Sequence, residues 1–175
     1  MTVALVDYGM GNRRSVEKAL EHVGADVART AERDAIAAAE AIVLPGVGAF
    51  PEAMRRLQAL RLVETLRERA AAGVPLLGIC LGMQLLFDSS DEHEGAAGLG
   101  LLPGTVTRLD APGLKVPHIG WNTVTFGRPS ALTEGLGEAA AFYHVHSYAC
   151  RPARSRASST RPPRSSSAPS RAPRS

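Results

Sequence analysis

A cysteine stands between glycines in Gly78-Ile79-Cys80-Leu81-Gly82, after the apolar run Val74-Pro75-Leu76-Leu77 and before the helical pattern Met83-Gln84-Leu85-Leu86-Phe87. This is the pattern of a nucleophile elbow, a strand-to-helix turn whose apex side chain stands exposed and whose neighbours must be small. At a helix N-terminus, unpaired backbone N–H groups and the macrodipole favour a thiolate and can bind a developing oxyanion. The chemistry implied is nucleophilic catalysis by a thiol. An inert buried cysteine is the alternative, since free Cys is among the most buried residue types. Glycines on both sides of a strand-to-helix junction argue against it.

A second glycine loop, Pro45-Gly46-Val47-Gly48, follows an apolar run and is expected to face Cys80 across the top of a sheet. Paired glycines permit peptide flips and close backbone approach. With the N–H of Leu81, a peptide of this loop could form an oxyanion hole, although an ordinary turn would use the same residues. Gly9-Met10-Gly11 invites a dinucleotide reading, which fails because the third glycine position is Arg14 and the next strand ends without an acid to hold a ribose.

The elements that must carry these loops alternate along the chain. Strands are predicted at 3–6, 26–29, 41–44 and 76–79, with helices near 13–23, 34–39, 52–59 and 62–72; Gly24 stops the first helix. Strand-then-helix repetition implies a mostly parallel sheet covered on both faces, an α/β fold, with functional loops at the carboxyl ends of the strands. From Gly98 onward shorter β-like runs at 105–109, 123–126 and 141–145 predict an antiparallel extension of that sheet.

The chain has 175 residues, enough for one domain, and the near-even balance of apolar and polar residues is that of a globular protein. The N-terminus lacks a basic, apolar leader pattern, so a cytoplasmic location is expected, with no membrane span. Cys80 and Cys150 are too few for a disulfide framework or a zinc site, so no metal is expected. The charge of +3 is uneven: seven of the twenty Lys and Arg fall in 151–175, which has no acid, leaving thirteen bases against seventeen acids. A mildly acidic body of net charge −4 argues against a nucleic-acid partner. Residues 151–175 hold only Arg, Ser, Pro, Ala and Thr, a composition too apolar-poor to fold, so the expected organisation is a domain over 1–150 and a disordered tail.

Five segments carry a resemblance over 1–150. They are Asp7-Tyr8-Gly9-Met10-Gly11-Asn12, Pro45-Gly46-Val47-Gly48-Ala49-Phe50, Gly78-Ile79-Cys80-Leu81-Gly82-Met83-Gln84-Leu85-Leu86, Pro117-His118-Ile119-Gly120-Trp121-Asn122 and Val145-His146-Ser147-Tyr148. In this combination the chain resembles class I glutamine amidotransferases, and within them the glutaminase subunits of imidazole glycerol phosphate synthases, enzymes of flavodoxin-like fold that work in histidine biosynthesis. The resemblance implies that Cys80 attacks the side-chain amide of glutamine and releases ammonia by way of a glutamyl thioester, without a cofactor. It implies backbone roles in the oxyanion hole for Gly46, Val47 and Leu81, and a substrate-holding role for Gln84. Ser147 and Tyr148 match the lining of the glutamine pocket, with plain strand packing as the other reading. The ammonia would pass to a separate (β/α)8-barrel cyclase in a heterodimer, with Trp121, Asn122 and Tyr143 near that interface and the ammonia exit.

The resemblance also implies a His-Pro-Glu turn that supplies the catalytic His and Glu, and this chain has none. Its histidines, His22, His93, His118, His144 and His146, are not followed by Pro-Glu. His146 matches a different family position, and His144 is at most a weak substitute. The abrupt change near 151–154 has the composition of GC-rich codons read out of frame, so a frameshifted C-terminus and impaired glutaminase activity are expected. A non-catalytic cyclase-binding remnant and another elbow-cysteine hydrolase are the competing functions.

Overall fold

The computed structural model describes residues 1–153, and the greater part of the tail lies outside the described residues. A parallel sheet forms from β1 (Thr2–Val6), β2 (Asp26–Thr30), β3 (Ala41–Leu44) and β4 (Leu76–Gly78), in the order β2-β1-β3-β4. That order is the start of the flavodoxin-like arrangement. Between the strands run α1 (Arg13–His22), α2 (Arg33–Ala38), α3 (Phe50–Ala59) and α4 (Leu62–Ala71). The Asn12 side chain accepts from the Ser15 N–H at the start of α1, and Gly24 follows its end with a φ of 86°.

Side-chain alternation splits the apolar residues of the central strands between two cores. Ala4, Val6, Ile42 and Leu44 pack with Ile36, Phe50, Met54, Leu57, Leu62 and Leu66 from α2, α3 and α4. Val3, Leu5, Ala41 and Val43 face the other way, toward Val16 and Leu20 of α1. Both faces of β1 and β3 are therefore buried, which accounts for their unbroken apolar sequence.

The fold class is mixed α/β with a mostly parallel sheet flanked by helices. The later strands do not join that sheet's edge, however. The elbow helix α5 (Leu81–Gln84) gives way to β5 (Phe87–Ser90), which with β6 (Ala96–Ala97), β7 (Leu102–Arg108) and β10 (Tyr148–Pro152) forms a second sheet ordered β10-β7-β5-β6. Here β5 runs parallel to β7, while β10 pairs antiparallel with β7 and β6 with β5. The helical pattern expected through Phe87 stops four residues in, because the Leu99 N–H binds the Leu85 carbonyl and the Leu101 and Leu102 N–H groups bind that of Leu86. Strand β10 runs through Arg151 and Pro152, two residues past the expected domain end. A separate antiparallel hairpin, β8 (His118–Thr125) with β9 (Ala139–His146), pairs Ile119 with Val145 and Trp121 with Tyr143.

Candidate active site

The loops after β1, β3 and β4 meet at the carboxyl ends of these parallel strands. At the end of β4 the Ile79 N–H binds the Leu44 carbonyl at 3.0 Å, and the chain reverses at Cys80 with φ 54° and ψ −118°. A non-glycine residue in this region stores about 1–3 kcal/mol of backbone strain. The reversal leaves Cys80 exposed as the N-cap of α5. A Cβ on Gly82 would overlap the Leu44 carbonyl oxygen, and one on Gly78 would lie 2.5 Å from Met83 Cα. The glycines of the motif are thus steric requirements of the turn. With only four residues, α5 offers the Leu81 N–H rather than a long helix dipole, because the Gly82 N–H is bonded to the Ile79 carbonyl and the Met83 N–H to that of Cys80.

Gly46 packs on the first turn of α5, and a Cβ there would lie 2.9 Å from Gly82 N and 2.6 Å from the Tyr8 hydroxyl. The buried Tyr8 hydroxyl donates to the Pro45 carbonyl at 2.8 Å, fixing the root of the loop. Burial pushes the Tyr8 phenol pKa up, and the charge of a Cys80 thiolate pushes it further, against a smaller opposing effect of Arg56. Val47, next in the loop, is half exposed, and Gly48 has a φ of 103°.

A cavity of about 370 Å³ opens between this loop and the elbow, lined by Val47, Gly48, Cys80, Gln84, Glu92 and the 145–148 segment. A neighbouring cavity of about 650 Å³ continues past Cys80 along β9, to Tyr143, His144 and Cys150. Burial raises the pKa of the Cys150 thiol. A further cleft, about 820 Å³, lies at the far end of the hairpin between Thr125 and Glu138, away from Cys80.

The structure brings Gly46, Val47, Cys80, Leu81, Gln84, Ser147 and Tyr148 into one neighbourhood. The Gln84 side-chain amide donates to the Tyr148 carbonyl at 3.3 Å. Trp121 lies apart from it on the hairpin, in edge-to-face contact at 5.6 Å with Tyr143, which borders the larger cavity; both are largely exposed. With Ile119 and Val145 they make one exposed apolar face. Asn122 belongs to the opposite face, where its amide approaches His118 Nε2 at 3.4 Å.

Two features escaped sequence reasoning. Glu92 lines the cavity beside Cys80 and Gln84, its largely buried carboxylate held by the Phe50 N–H at 2.8 Å. No spacing rule points to it, because the partner that aims it lies 42 residues earlier. The second is the placement of His146, which the sequence assigned to a different family position: it lines both cavities beside Cys80, and its ring binds His118 across the hairpin. Among the described residues no group of three or more His, Cys, Asp and Glu is arranged to hold a metal.

An exposed cysteine at a strained strand-to-helix elbow, with a glycine loop packed on the first turn of its helix, defines the class of α/β enzymes that work through an elbow thiol. The family model for class-I glutamine amidotransferases matches residues 4–165, and the chain belongs to that family. The chain is 56% identical over 146 residues to the imidazole glycerol phosphate synthase subunit HisH of Moorella thermoacetica, a match covering 83% of this chain and 69% of that one. It is 49% identical over the same length and shares to the subunit of that name from Bacillus cereus strain G9842. A crystal structure of a glutamine amidotransferase superposes with a TM-score of 0.67 at 20% identity, covering 85% of this chain and 73% of that one, and agrees in fold.

Proposed function

We propose that this chain is the glutaminase subunit of a two-component synthase that makes imidazole glycerol phosphate. The observation that carries the reading is the shared cavity of Cys80, the 45–48 loop, Gln84 and Glu92, supported by relatives named as that subunit. The Cys80 thiolate attacks the side-chain amide carbon of glutamine, and the oxyanion is held by the Leu81 N–H and by a peptide N–H of the Gly46-Val47 segment after the loop flips. The amide nitrogen takes a proton and leaves as ammonia; water then attacks the glutamyl thioester and releases glutamate. The α-ammonium of glutamine is held by the Glu92 carboxylate and the carbonyl oxygen of Gln84, while Ser147 and Tyr148 line the pocket.

The apolar face of Ile119, Trp121, Tyr143 and Val145 docks the cyclase, a (β/α)8 barrel that receives the ammonia, and Asn122 borders the exit. The pair is a cytoplasmic heterodimeric lyase of histidine biosynthesis. The amidotransferase domain runs through the end of β10 at Pro152, and the Arg/Ser/Pro-rich sequence that replaces the family's C-terminal segment is of out-of-frame origin. No His-Pro-Glu turn occurs among the 175 residues, and without the base that it supplies the reaction forfeits about 10²–10⁴-fold in rate. Glutamate release from glutamine, measured with the cyclase present, is therefore expected to be slow and to vanish in Cys80→Ala. Release that persists in Cys80→Ala contradicts the assignment.

A second reading, a non-catalytic cyclase-binding remnant, is favoured by the same exposed aromatic face. It predicts cyclase binding that Trp121→Ala weakens, with no Cys80-dependent glutamate at all.

A further inference from the structure

Four side chains and one carbonyl form a continuous hydrogen-bonded path from the hairpin to the cavity. Asn122 Nδ2 lies 3.4 Å from His118 Nε2, His118 Nδ1 lies 3.2 Å from His146 Nε2, and His146 Nδ1 lies 2.9 Å from the Tyr148 carbonyl oxygen. The same carbonyl accepts from Gln84 Nε2 at 3.3 Å. The His118 and His146 rings meet edge to face, with centroids 5.3 Å apart.

The two ends fix the polarity of the path. An amide NH2 group only donates and a carbonyl oxygen only accepts. Between them each neutral imidazole must carry its proton on Nδ1 and offer Nε2 as acceptor, because the tautomer of a histidine follows from the bonds its two nitrogens make. Both lone pairs of the Tyr148 oxygen are then used, one by His146 and one by Gln84. The Gln84 amide is thereby held with its NH2 group toward Tyr148 and its carbonyl oxygen at the other end. Reversed, that amide would present N–H groups to an incoming ammonium and repel it.

We propose that His118 and His146 are positioning residues whose singly directed relay holds the Tyr148 carbonyl and so fixes the sense of the Gln84 amide, making the pocket selective for the α-ammonium of glutamine. This rests on the glutamine reading of the cavity. His118 stands outside the cavity while His146 borders it, and both act through Tyr148 and Gln84.

The test uses the full 175-residue chain. Nitrogen-15 NMR of the imidazoles is expected to find both rings as the Nδ1–H tautomer, against the Nε2–H form usual for an unconstrained imidazole. Calorimetric titration is expected to find glutamine binding about fivefold weaker in His118→Ala, the size of one lost hydrogen bond. His118→Asn, whose amide nitrogen falls where Nδ1 was, restores the affinity to within about twofold, and His118→Gln does not. Glutaramate, which is glutamine without its amino group, binds the parent and His118→Ala alike. A general loosening of the hairpin would weaken both ligands equally, which overturns the proposal. So does an Nε2–H tautomer on either ring, or parental glutamine affinity in His118→Ala. A parent chain with both Nδ1–H tautomers but no affinity for glutamine overturns the glutamine reading of the cavity, with the relay itself confirmed by NMR.

Discussion

Replacing Gly78 by Ala tests the elbow at its tightest point. The added Cβ would lie 2.5 Å from Met83 Cα, 2.6 Å from Met83 N and 2.8 Å from the Gly82 carbonyl carbon, and its φ is not left-handed, so the cost is steric alone. To restore about 3.0 Å, a lower limit for real Cβ contacts, the Met83 backbone must withdraw by about 0.5 Å. It has little room, because Leu85 is fully buried and Gly82 already abuts the Leu44 carbonyl. Overpacking of this kind costs about 1–3 kcal/mol. A misplacement of ~1 Å can cost ~10²-fold in rate, so half of that is worth about tenfold at Cys80. The assay pairs the urea midpoint with the second-order rate of Cys80 labelling by a chloroketone analogue of glutamine. Gly127→Ala is the control, since a Cβ there meets nothing within 4 Å, and it should stay within about 0.5 kcal/mol of the parent. A Gly78→Ala chain with the parental midpoint and the parental labelling rate would refute the packing argument.

Tyr8→Phe leaves the Pro45 carbonyl without its donor and is expected to cost about 1–3 kcal/mol by urea unfolding at pH 8, with slower thioester formation but unchanged alkylation by iodoacetamide, which needs no oxyanion hole. The buried phenol holds its proton to higher pH in the folded than in the unfolded chain, where tyrosine titrates near ~10. That contribution is complete below the unfolded value and is lost as pH rises, so the urea midpoint should drop less between pH 9 and 11 in Tyr8→Phe than in the parent. Phe50→Ala, at a fully buried position where α3 meets the core, should cost about 3–5 kcal/mol in the same assay. Glu92→Gln keeps an oxygen for the Phe50 N–H but loses the charge, and should weaken glutamine binding about tenfold in calorimetry with little change in midpoint.

The parallel sheet was legible because its signals are local. The apolar run Ala41–Leu44 is buried at every position, and Gly24 stops α1 where a left-handed residue is needed. The elbow was legible for the same reason, since Gly78 and Gly82, two positions to either side of Cys80, are the clearance its turn requires. Phe87 misled because the spacing from Met83 fits a helix, while the amides that claim the Leu85 and Leu86 carbonyls come from Leu99, Leu101 and Leu102. The later strands read as one extension because alternation reveals a strand but not its partner; β7 chose β5 and β10, and β8 paired only with β9. His118 and His146 looked unrelated at 28 residues apart until the hairpin register set them face to face.

Mass spectrometry of the chain after reaction with a glutamine chloroketone tests the claim on which the account depends, that Cys80 is a nucleophile within a glutamine pocket. The expected result is a single adduct on Cys80, suppressed strongly by glutamine and less by glutaramate at the same concentration, with Cys150 unmodified. Labelling of Cys150 in preference to Cys80, or labelling of Cys80 that excess glutamine does not slow, would contradict it.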